Sequence, residues 1–348
     1  MRQLLGRAMS LALVTVCAAS VAACGASESL DDRPAGRGEP SGTFPQSLDN
    51  CGERLTVHEA PTRVVSLDQG STEILLSLGL ADRIVGTASW TDPVKADLAD
   101  ENARVPRLAD NAPSFEAVMA TEPTLVTASF GRHLREKGGV ASRERFATSG
   151  VPTYLSPADC DNGRSVNGGA KRTTPQTIDS VFREITELAT LFDVRARGEA
   201  LVASLRARVE KARSSVASSG ASIGFWFADT RTPYFAAGLG SGNLLAQSVT
   251  ARNVFADVRD DWPATTWESV VDRDPTVIVL GDLTRDRFPG DRLDDKKRFL
   301  ATDPVTRTMP AVREQRYVAL HGAEMNASIQ LVDGIEKLAA GLARLPQR

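Results

Sequence analysis

Residues 114–126 recur as residues 266–278 at one constant offset and without a gap, and this repeat constrains the fold most strongly. Each copy has a hydroxyl residue before a short helix pattern, a glutamate in the first turn, a proline and an apolar run typical of a buried strand. The offset is far longer than the period of roughly 20 to 50 residues that solenoid repeats have. We therefore predict two similar lobes, with Glu116 and Glu268 in equivalent places.

The N-terminus has the pattern of an export signal. Arg2 and Arg7 flank the start of an apolar stretch that ends in small residues just before Cys24. This pattern predicts a signal peptide over residues 1–23, which is too short to span a membrane. A cysteine directly after small residues resembles the bacterial lipobox, which implies that Cys24 is lipidated. Cleavage nearby, with Cys24 incidental, is the alternative.

Residues 24–50 are polar and rich in Ser, Gly and Pro, which predicts a flexible tether after the lipidated cysteine. No later segment reaches the roughly 18 apolar residues of a membrane span, so we expect anchoring to the cell membrane by the lipid alone, on its extracytoplasmic side. The net charge is −3 and no basic stripe is present, which argues against nucleic acid as a partner.

Two cysteines remain for the folded part of the chain, Cys51 and Cys160. Outside the cytosol, such a pair most simply forms a disulfide. Two free thiols are the alternative. We expect no metal-ion site, because such sites need clustered histidines and carboxylates and the chain has three histidines.

Strand-sized apolar runs alternate with helix-sized segments, which predicts an α/β fold whose lobes have parallel, helix-covered sheets. Leu201, Leu205 and Val209 form an apolar row at helical spacing in a long segment between the lobes. We predict one long helix joining the lobes, and therefore little hinge motion. The predicted boundaries are an N-terminal lobe over 51–175, a helical linker region over 176–220 and a C-terminal lobe over 221–348.

The stretches 61–67, 72–75 and 78–86 are similar to the N-terminal signature of the helical-linker (class III) substrate-binding proteins of bacterial ABC importers, which serve iron-siderophore, haem and cobalamin uptake. The paired repeats also resemble helix–strand units of that family. The resemblance runs from about Cys51 to the C-terminus. It implies a non-catalytic receptor with a ligand cleft between two lobes, and we expect a monomer.

In this family, a glutamate on each lobe docks into arginines of the membrane permease. The resemblance assigns this role to Glu116 and Glu268, where paired charges would speed and orient the encounter. The alternative is that both are ordinary first-turn acids, which are favourable against the helix dipole.

Open α/β sheets bind ligands at the carboxyl ends of their strands. Bulky or charged side chains in or near those loops are therefore candidates for ligand binding: Gln69, Trp90, Phe130, Arg132, Trp226, Arg231, Tyr234, Trp262 and Glu324. Each could instead pack in the core or at the rim of the cleft. Trp226 in particular lies inside an apolar strand pattern.

The resemblance does not single out a ligand. We expect a ferric siderophore, with haem or cobalamin as alternatives, and no resident cofactor. An anionic ferric chelate would need arginines such as Arg132 and Arg231. Haem would need axial ligands, which His133 and Tyr234 could supply from opposite lobes. A remoter alternative is a secreted hydrolase-like enzyme, but the glycine-rich residues 238–243 lack the phosphate-loop and nucleophile-elbow patterns.

Overall fold

The computed structural model describes residues 44–160, 172–216, 220–285 and 288–345. The predicted signal peptide, Cys24 and most of the predicted tether lie outside the described residues. Within the described ranges, no helix combines the length and apolar character needed to cross a membrane.

The N-terminal lobe has an antiparallel hairpin of β1 (Gln46–Asn50) and β2 (Glu53–Val57). Its parallel sheet consists of β3 (Val64–Ser66), β4 (Ile84–Ala88), β5 (Arg107–Ala109), β6 (Leu125–Ala128) and β7 (Thr153–Leu155). The strand order is β5-β4-β3-β6-β7. The helices of this lobe are α1 (Gln69–Ser77), α2 (Ala99–Asn102), α3 (Phe115–Met119) and α4 (Arg143–Thr148).

Two helices, α5 (Ile178–Leu191) and α6 (Arg195–Ser215), follow the first lobe. The C-terminal sheet contains β8 (Ser222–Ala228), β9 (Tyr234–Phe235), β10 (Arg252–Asn253), β11 (Val277–Asp282) and β12 (Tyr317–His321). Its order is β10-β8-β11-β12, all parallel, and β9 pairs antiparallel with β8. The helices of the second lobe are α7 (Ser241–Ser248), α8 (Trp267–Arg273), α9 (Leu293–Thr302), α10 (Pro310–Arg313) and α11 (Gln330–Arg344).

The sequence repeat forms the same unit in both lobes. The Ser114 hydroxyl caps α3 by accepting a hydrogen bond from the backbone N–H of Ala117 at 3.1 Å, and Thr266 caps α8 through Ser269 at 3.2 Å. These helices lead into β6 and β11, which pair with β3 and β8, the first strand of each parallel sheet along the chain. The prediction of two similar α/β lobes is therefore confirmed.

Helix α6 connects the two hydrophobic cores. Leu205 is buried in the core of the first lobe, whereas Ala212 and Val216 are buried in the core of the second. Val209 packs against both. At 1.5 Å per residue, the helix is about 31 Å long. The predicted long helix between the lobes is thus present.

The start of the folded region differs from the prediction. Residues 46–50, assigned to the flexible tether, form β1, and Leu48 packs against the core of the first lobe. Polar composition misled the prediction here, because a hairpin strand needs only alternate side chains to be apolar.

Cys51 and Cys160 form the predicted disulfide, with their Cα atoms 4.9 Å apart. The bond ties the turn between β1 and β2 to the segment after β7. It therefore crosslinks the start of the folded chain to the far edge of the N-terminal sheet.

Candidate functional site

A cavity of about 370 Å³ lies between the two lobes. This volume is within the range of roughly 300–1,000 Å³ that small-molecule sites occupy. The N-terminal lobe contributes loops that follow β3, β4 and β6, and the C-terminal lobe contributes β8 and segments that follow β11 and β12. The cavity thus occupies the place where open α/β sheets bind ligands.

Asp68 organises the N-terminal wall of the cavity. One carboxylate oxygen caps α1 by accepting the Ser71 N–H at 3.1 Å. The other accepts the backbone N–H groups of Ser129 and Phe130 at 2.7 and 3.3 Å. One buried carboxylate therefore holds the loops after β3 and β6 together and fixes the backbone that carries Phe130.

Arg132 and Phe130 both line the cavity, as predicted for ligand-binding residues. The Arg132 guanidinium lies 4.2 Å from the centre of the Phe130 ring and makes no hydrogen bond to any residue in the described ranges. Burial lowers the pKa of Arg132, and Asp68 and Asp159 raise it in part. Since arginine remains charged in proteins, this wall presents a cation that no described residue holds by a hydrogen bond.

His133 also lines the cavity and is only 4% exposed. Its Nε2 atom lies 3.8 Å from Asp68 Oδ2 and has no hydrogen-bond partner among the described residues. Burial lowers the pKa of His133 to about 4, so the ring is neutral near pH 7. Tyr234 is on β9 and does not line the cavity, so the predicted pairing of His133 with Tyr234 as axial ligands is not formed.

The C-terminal wall carries a second arginine, Arg285, which follows β11. Asp291 accepts hydrogen bonds from its Nε and Nη2 atoms at 3.2 and 3.4 Å. The Phe227 ring lies 5.3 Å from this guanidinium and also lines the cavity. Repulsion from Arg285 contributes to the lowered pKa of Arg132, so the two cations act on one another across the cleft.

Gln69 lines the cavity and fixes the loop after β4. Its side-chain oxygen accepts the N–H groups of Thr91 and Asp92 at 3.3 and 3.1 Å, and its amide donates to Glu73 at 3.1 Å. Asp92 Oδ2 in turn accepts the N–H of Ala323 from the other lobe at 3.0 Å. Gln69 therefore supports a loop that contacts both lobes.

A polar cluster joins the lobes through helix α11. Gln330, at the start of α11, donates to both carboxylate oxygens of the buried Glu73 at 2.7 and 2.9 Å. Burial raises the pKa of Glu73 to about 7. Lys95 also pairs with Asp333 of α11 at 2.7 Å. These contacts, like α6, link the two lobes.

Trp90 lies beside the cavity and not in it. The Trp90 ring lines an adjacent groove of about 410 Å³ and has the Arg107 guanidinium 5.1 Å from its centre. Its N–H donates to Thr87 at 2.9 Å. A hydrogen bond from the Thr284 hydroxyl to the Thr91 carbonyl joins the two lobes between the cavity and this groove. Trp90 is therefore a rim residue.

Trp226 and Trp262, predicted to contact ligand, are core residues. Trp226 is fully buried and packs edge-to-face on Trp267 at 4.7 Å. Trp262 is 5% exposed and packs behind Phe227 at 5.1 Å. Successive strand residues point to opposite faces of a sheet, so β8 directs Phe227 to the cavity and Trp226 away from it.

Arg231, Tyr234 and Glu324 also lie outside the cavity lining. Arg231 is exposed on a turn that Asp229 closes by accepting the Arg231 N–H at 2.8 Å. Glu324 is 3% exposed, accepts the His321 N–H at 2.8 Å and pairs with Lys337. A position near the end of a strand was not enough to place these side chains in the cavity, because the local structure directs them away from it.

The sequence prediction missed Arg285, Phe227 and Asp92 as lining residues. Arg285 could have been found, because it follows a predicted strand as directly as Arg132 follows another. Phe227 required knowledge of which face of β8 meets the cleft.

Glu116 and Glu268 are both exposed in the first turn of their helices. Arg145 lies 3.3 Å from Glu116. Neither carboxylate is buried, so both are accessible to a partner protein.

A sequence profile described as a periplasmic binding protein matches residues 64–323, more than half of the chain. The vitamin B12-binding protein of Yersinia pestis is 26% identical over 229 residues, covering 64% of this chain and 70% of that protein.

Two solved structures have the same fold. One is a periplasmic binding protein from Veillonella parvula, with 21% identity and a TM-score of 0.74 over 86% of this chain and 98% of that one. The other is an ABC-type Fe³⁺-hydroxamate transport system from Saccharomonospora viridis, with 24% identity and a TM-score of 0.69 over 86% and 99%. The family model and the Yersinia pestis relative describe binding proteins, which confirms the non-catalytic prediction over the hydrolase alternative. The chain therefore belongs to the periplasmic binding protein family.

Proposed function

We propose that the protein is the receptor of an ABC importer and captures a ferric siderophore complex that has a net negative charge. The observation that carries this proposal is the pair Arg132 and Arg285, which face one cavity from opposite lobes. Guanidinium groups form strong, charge-assisted hydrogen bonds with carboxylate and other anionic oxygens. A chelate held between the two would also screen their mutual repulsion.

The ring faces in the cavity add to this preference. Phe130 and Phe227 line it from opposite lobes and give a chelate apolar surface beside the cations. Aromatic rings provide large contact area at low cost in side-chain entropy. Similarity to a protein described as an Fe³⁺-hydroxamate transport system is consistent with an iron chelate as the ligand.

Cobalamin is the second candidate, because the Yersinia pestis relative is named a vitamin B12-binding protein. Haem ranks below it. All three tyrosines lie in the described part of the chain, and none lines the cavity, so His133 is without its predicted partner.

Calorimetric titration of the purified protein with a ferric tris-catecholate, ferric citrate, a neutral ferric trihydroxamate, haem and cyanocobalamin tests the ligand class. We expect the anionic ferric chelates to bind most tightly. Arg132→Ala should weaken their binding by about 1.5–3 kcal/mol, roughly 10- to 100-fold, because a charged hydrogen-bond partner is lost. Arg231→Ala, an exposed arginine outside the cavity, is the control. Tightest binding of a neutral ligand, unaffected by Arg132→Ala, would contradict the proposal.

We further propose that Glu116 and Glu268 dock the loaded receptor on its permease. The Glu116→Gln/Glu268→Gln variant should bind ligand normally and lose uptake in cells, because the carboxylates would no longer pair with cations of the permease. Glu144→Gln, another exposed glutamate, should have no effect. Uptake by the double variant at the wild-type rate would exclude this role.

Periplasmic binding proteins work outside the cytoplasm, and we propose that a lipid on Cys24 retains this one at the membrane. Cys24→Ala should move the protein from the membrane fraction to the soluble fraction. An unchanged membrane fraction would rule out lipidation as the anchor.

A further inference from the structure

The C-terminal wall of the cavity rests on two charged residues that have no exposed surface, Asp291 and Lys296. Neither lines the cavity. Completely buried charges are costly unless they are paired and hydrogen-bonded, so a buried pair beside a binding wall calls for an explanation.

Asp291 holds the backbone and the side chain of the segment that carries Arg285. Besides its two bonds to the Arg285 guanidinium, its carboxylate accepts the Phe288 N–H at 3.0 Å. Its backbone carbonyl accepts the Leu283 N–H at 2.9 Å. One residue thus bonds to points on both sides of Arg285 and to Arg285 itself.

Lys296, on α9, supports this arrangement from inside the lobe. Its ammonium group donates to the carbonyl of Gly290 and, at 3.4 Å, to that of Asp291. It also lies 5.0 Å from the centre of the Trp226 ring, which is in the core. The lysine is therefore fixed by groups that cannot move without disturbing the lobe.

The charged groups around Arg285 have opposing effects on it. A carboxylate next to Arg285 would by itself cancel most of the field that the arginine presents to a ligand. Lys296 lies behind Asp291, where the carboxylates of Asp291, Asp282 and Asp295 attract it and Arg285 repels it. Its bonds to the carbonyls of Gly290 and Asp291 fix the backbone of Asp291, so Arg285 is oriented before the ligand arrives.

We propose that Asp291 and Lys296 are positioning residues for ligand binding, which hold Arg285 in the orientation that faces the cavity. This inference rests on the proposed capture of an anionic ferric chelate. Arg132 has no such clamp among the described residues, so the preorganised contact belongs to the C-terminal lobe.

A double-mutant cycle tests the proposal. We would measure the affinity for a ferric tris-catecholate of the single variants Asp291→Asn, Lys296→Met and Arg285→Ala. The first two changes would also be measured in combination with Arg285→Ala. Asp291→Asn should weaken binding by about tenfold although it removes a negative charge, because Arg285 loses its orientation. Lys296→Met should weaken it by about threefold or more. In the Arg285→Ala background, neither change should weaken binding further.

A neutral ferric trihydroxamate serves as the probe for an intact cavity and should bind each folded variant within about twofold of wild type. Asp294→Asn, which removes an exposed carboxylate from the same helix, is the matched control. Unchanged or tighter catecholate binding by Asp291→Asn, or an equal loss with Arg285 already removed, would overturn the positioning role. If Arg285→Ala by itself leaves the affinity for the catecholate unchanged, that result contradicts the proposed function and not only the positioning role.

Discussion

Each lobe contributes one arginine to the cleft, and the two are supported differently. In the N-terminal lobe, Arg132 lies 4.2 Å from the centre of the Phe130 ring and has no hydrogen bond to a described residue. In the C-terminal lobe, Asp291 accepts a hydrogen bond from Arg285 at 3.2 Å. The two lobes share one repeated helix–strand unit and a parallel sheet built around their first strand, although the second sheet also carries an antiparallel strand, β9. Their cleft walls differ in how a cation is supported. Loops at the strand ends can therefore set the chemistry of a site without a change in the fold that carries them.

The two lobes also differ in their cores. The first lobe contains the Cys51–Cys160 disulfide and a largely aliphatic core. The second packs a cluster of large rings, which includes Trp226, Trp267 and Phe299. Equivalent sheets are thus stabilised by a crosslink in one lobe and by aromatic packing in the other.

The largest effect should come from that aromatic cluster. Trp226→Ala should lower the free energy of unfolding by about 3–5 kcal/mol, because it leaves a cavity among buried rings. Trp90→Ala, at the rim of the cleft, should cost less than about 1 kcal/mol. Urea denaturation measures both, and similar losses for the two variants would show that Trp90 has a structural role we have not assigned.

Breaking the disulfide should have the next largest effect. Cys51→Ser/Cys160→Ser should destabilise the protein by about 2–5 kcal/mol. Hydrogen exchange should rise in the hairpin β1–β2 and around β7, and remain unchanged in the sheet of the second lobe. Equal loss of protection in both lobes would mean that they unfold as one unit. The disulfide would then stabilise both lobes and not the first one alone.

The lobes should also respond oppositely to pH. Burial raises the pKa of Glu184 to about 8 and that of Glu73 to about 7, so the folded state holds these protons more tightly than the unfolded state. Their contribution to stability is complete below the unfolded pKa of about 4.5 and is lost as the pH rises through about 7 to 8. Burial lowers the pKa of Lys296 to about 8. The charged, buried lysine therefore destabilises the folded state increasingly as the pH falls from about 10.5 to 8.

Hydrogen exchange, corrected for the intrinsic effect of pH, should therefore show the N-terminal lobe losing protection between about pH 6 and 8.5 while the C-terminal lobe does not. Glu184→Gln should reduce this loss. A parallel loss in both lobes would contradict the assignment of the titrating groups.

The smallest effect concerns the repeat itself. Ser114→Ala and Thr266→Ala should each destabilise the protein by about 1 kcal/mol, because each removes the hydroxyl that caps a helix of the repeat. Thermal unfolding of the two variants would compare the repeats directly. A cost at only one position would show that the second cap is satisfied by water.

Much of the fold could be predicted because its signals are local. Hydroxyl caps, helical apolar rows and strand-length apolar runs located α3, α8, α6 and most parallel strands. The short strands β5, β9 and β10 were not predicted, since β5 and β10 do not lie in a continuous apolar run such as the one that contains β3, and β9 has only two residues. The hairpin strand β1 was assigned to a tether because its exposed positions are polar.

The candidate site was predicted less completely. Gln69, Phe130, Arg132 and His133 follow strands closely and do line the cavity. Trp226 and Arg231 satisfy the same rule and lie elsewhere, because strand alternation and a local turn direct their side chains away.

The sequence by itself determined that the chain has two related α/β lobes, a helix between them and a crosslink, since each depends on local pattern or on the number of available partners. Only the tertiary structure decided which side chains share the cleft. Arg132 and Arg285 meet there because two separate sheets present their carboxyl-end loops to one another, and Asp291 and Lys296 act on the site from within the core. Such relations depend on the packing of distant segments, for which a single sequence carries no local signal.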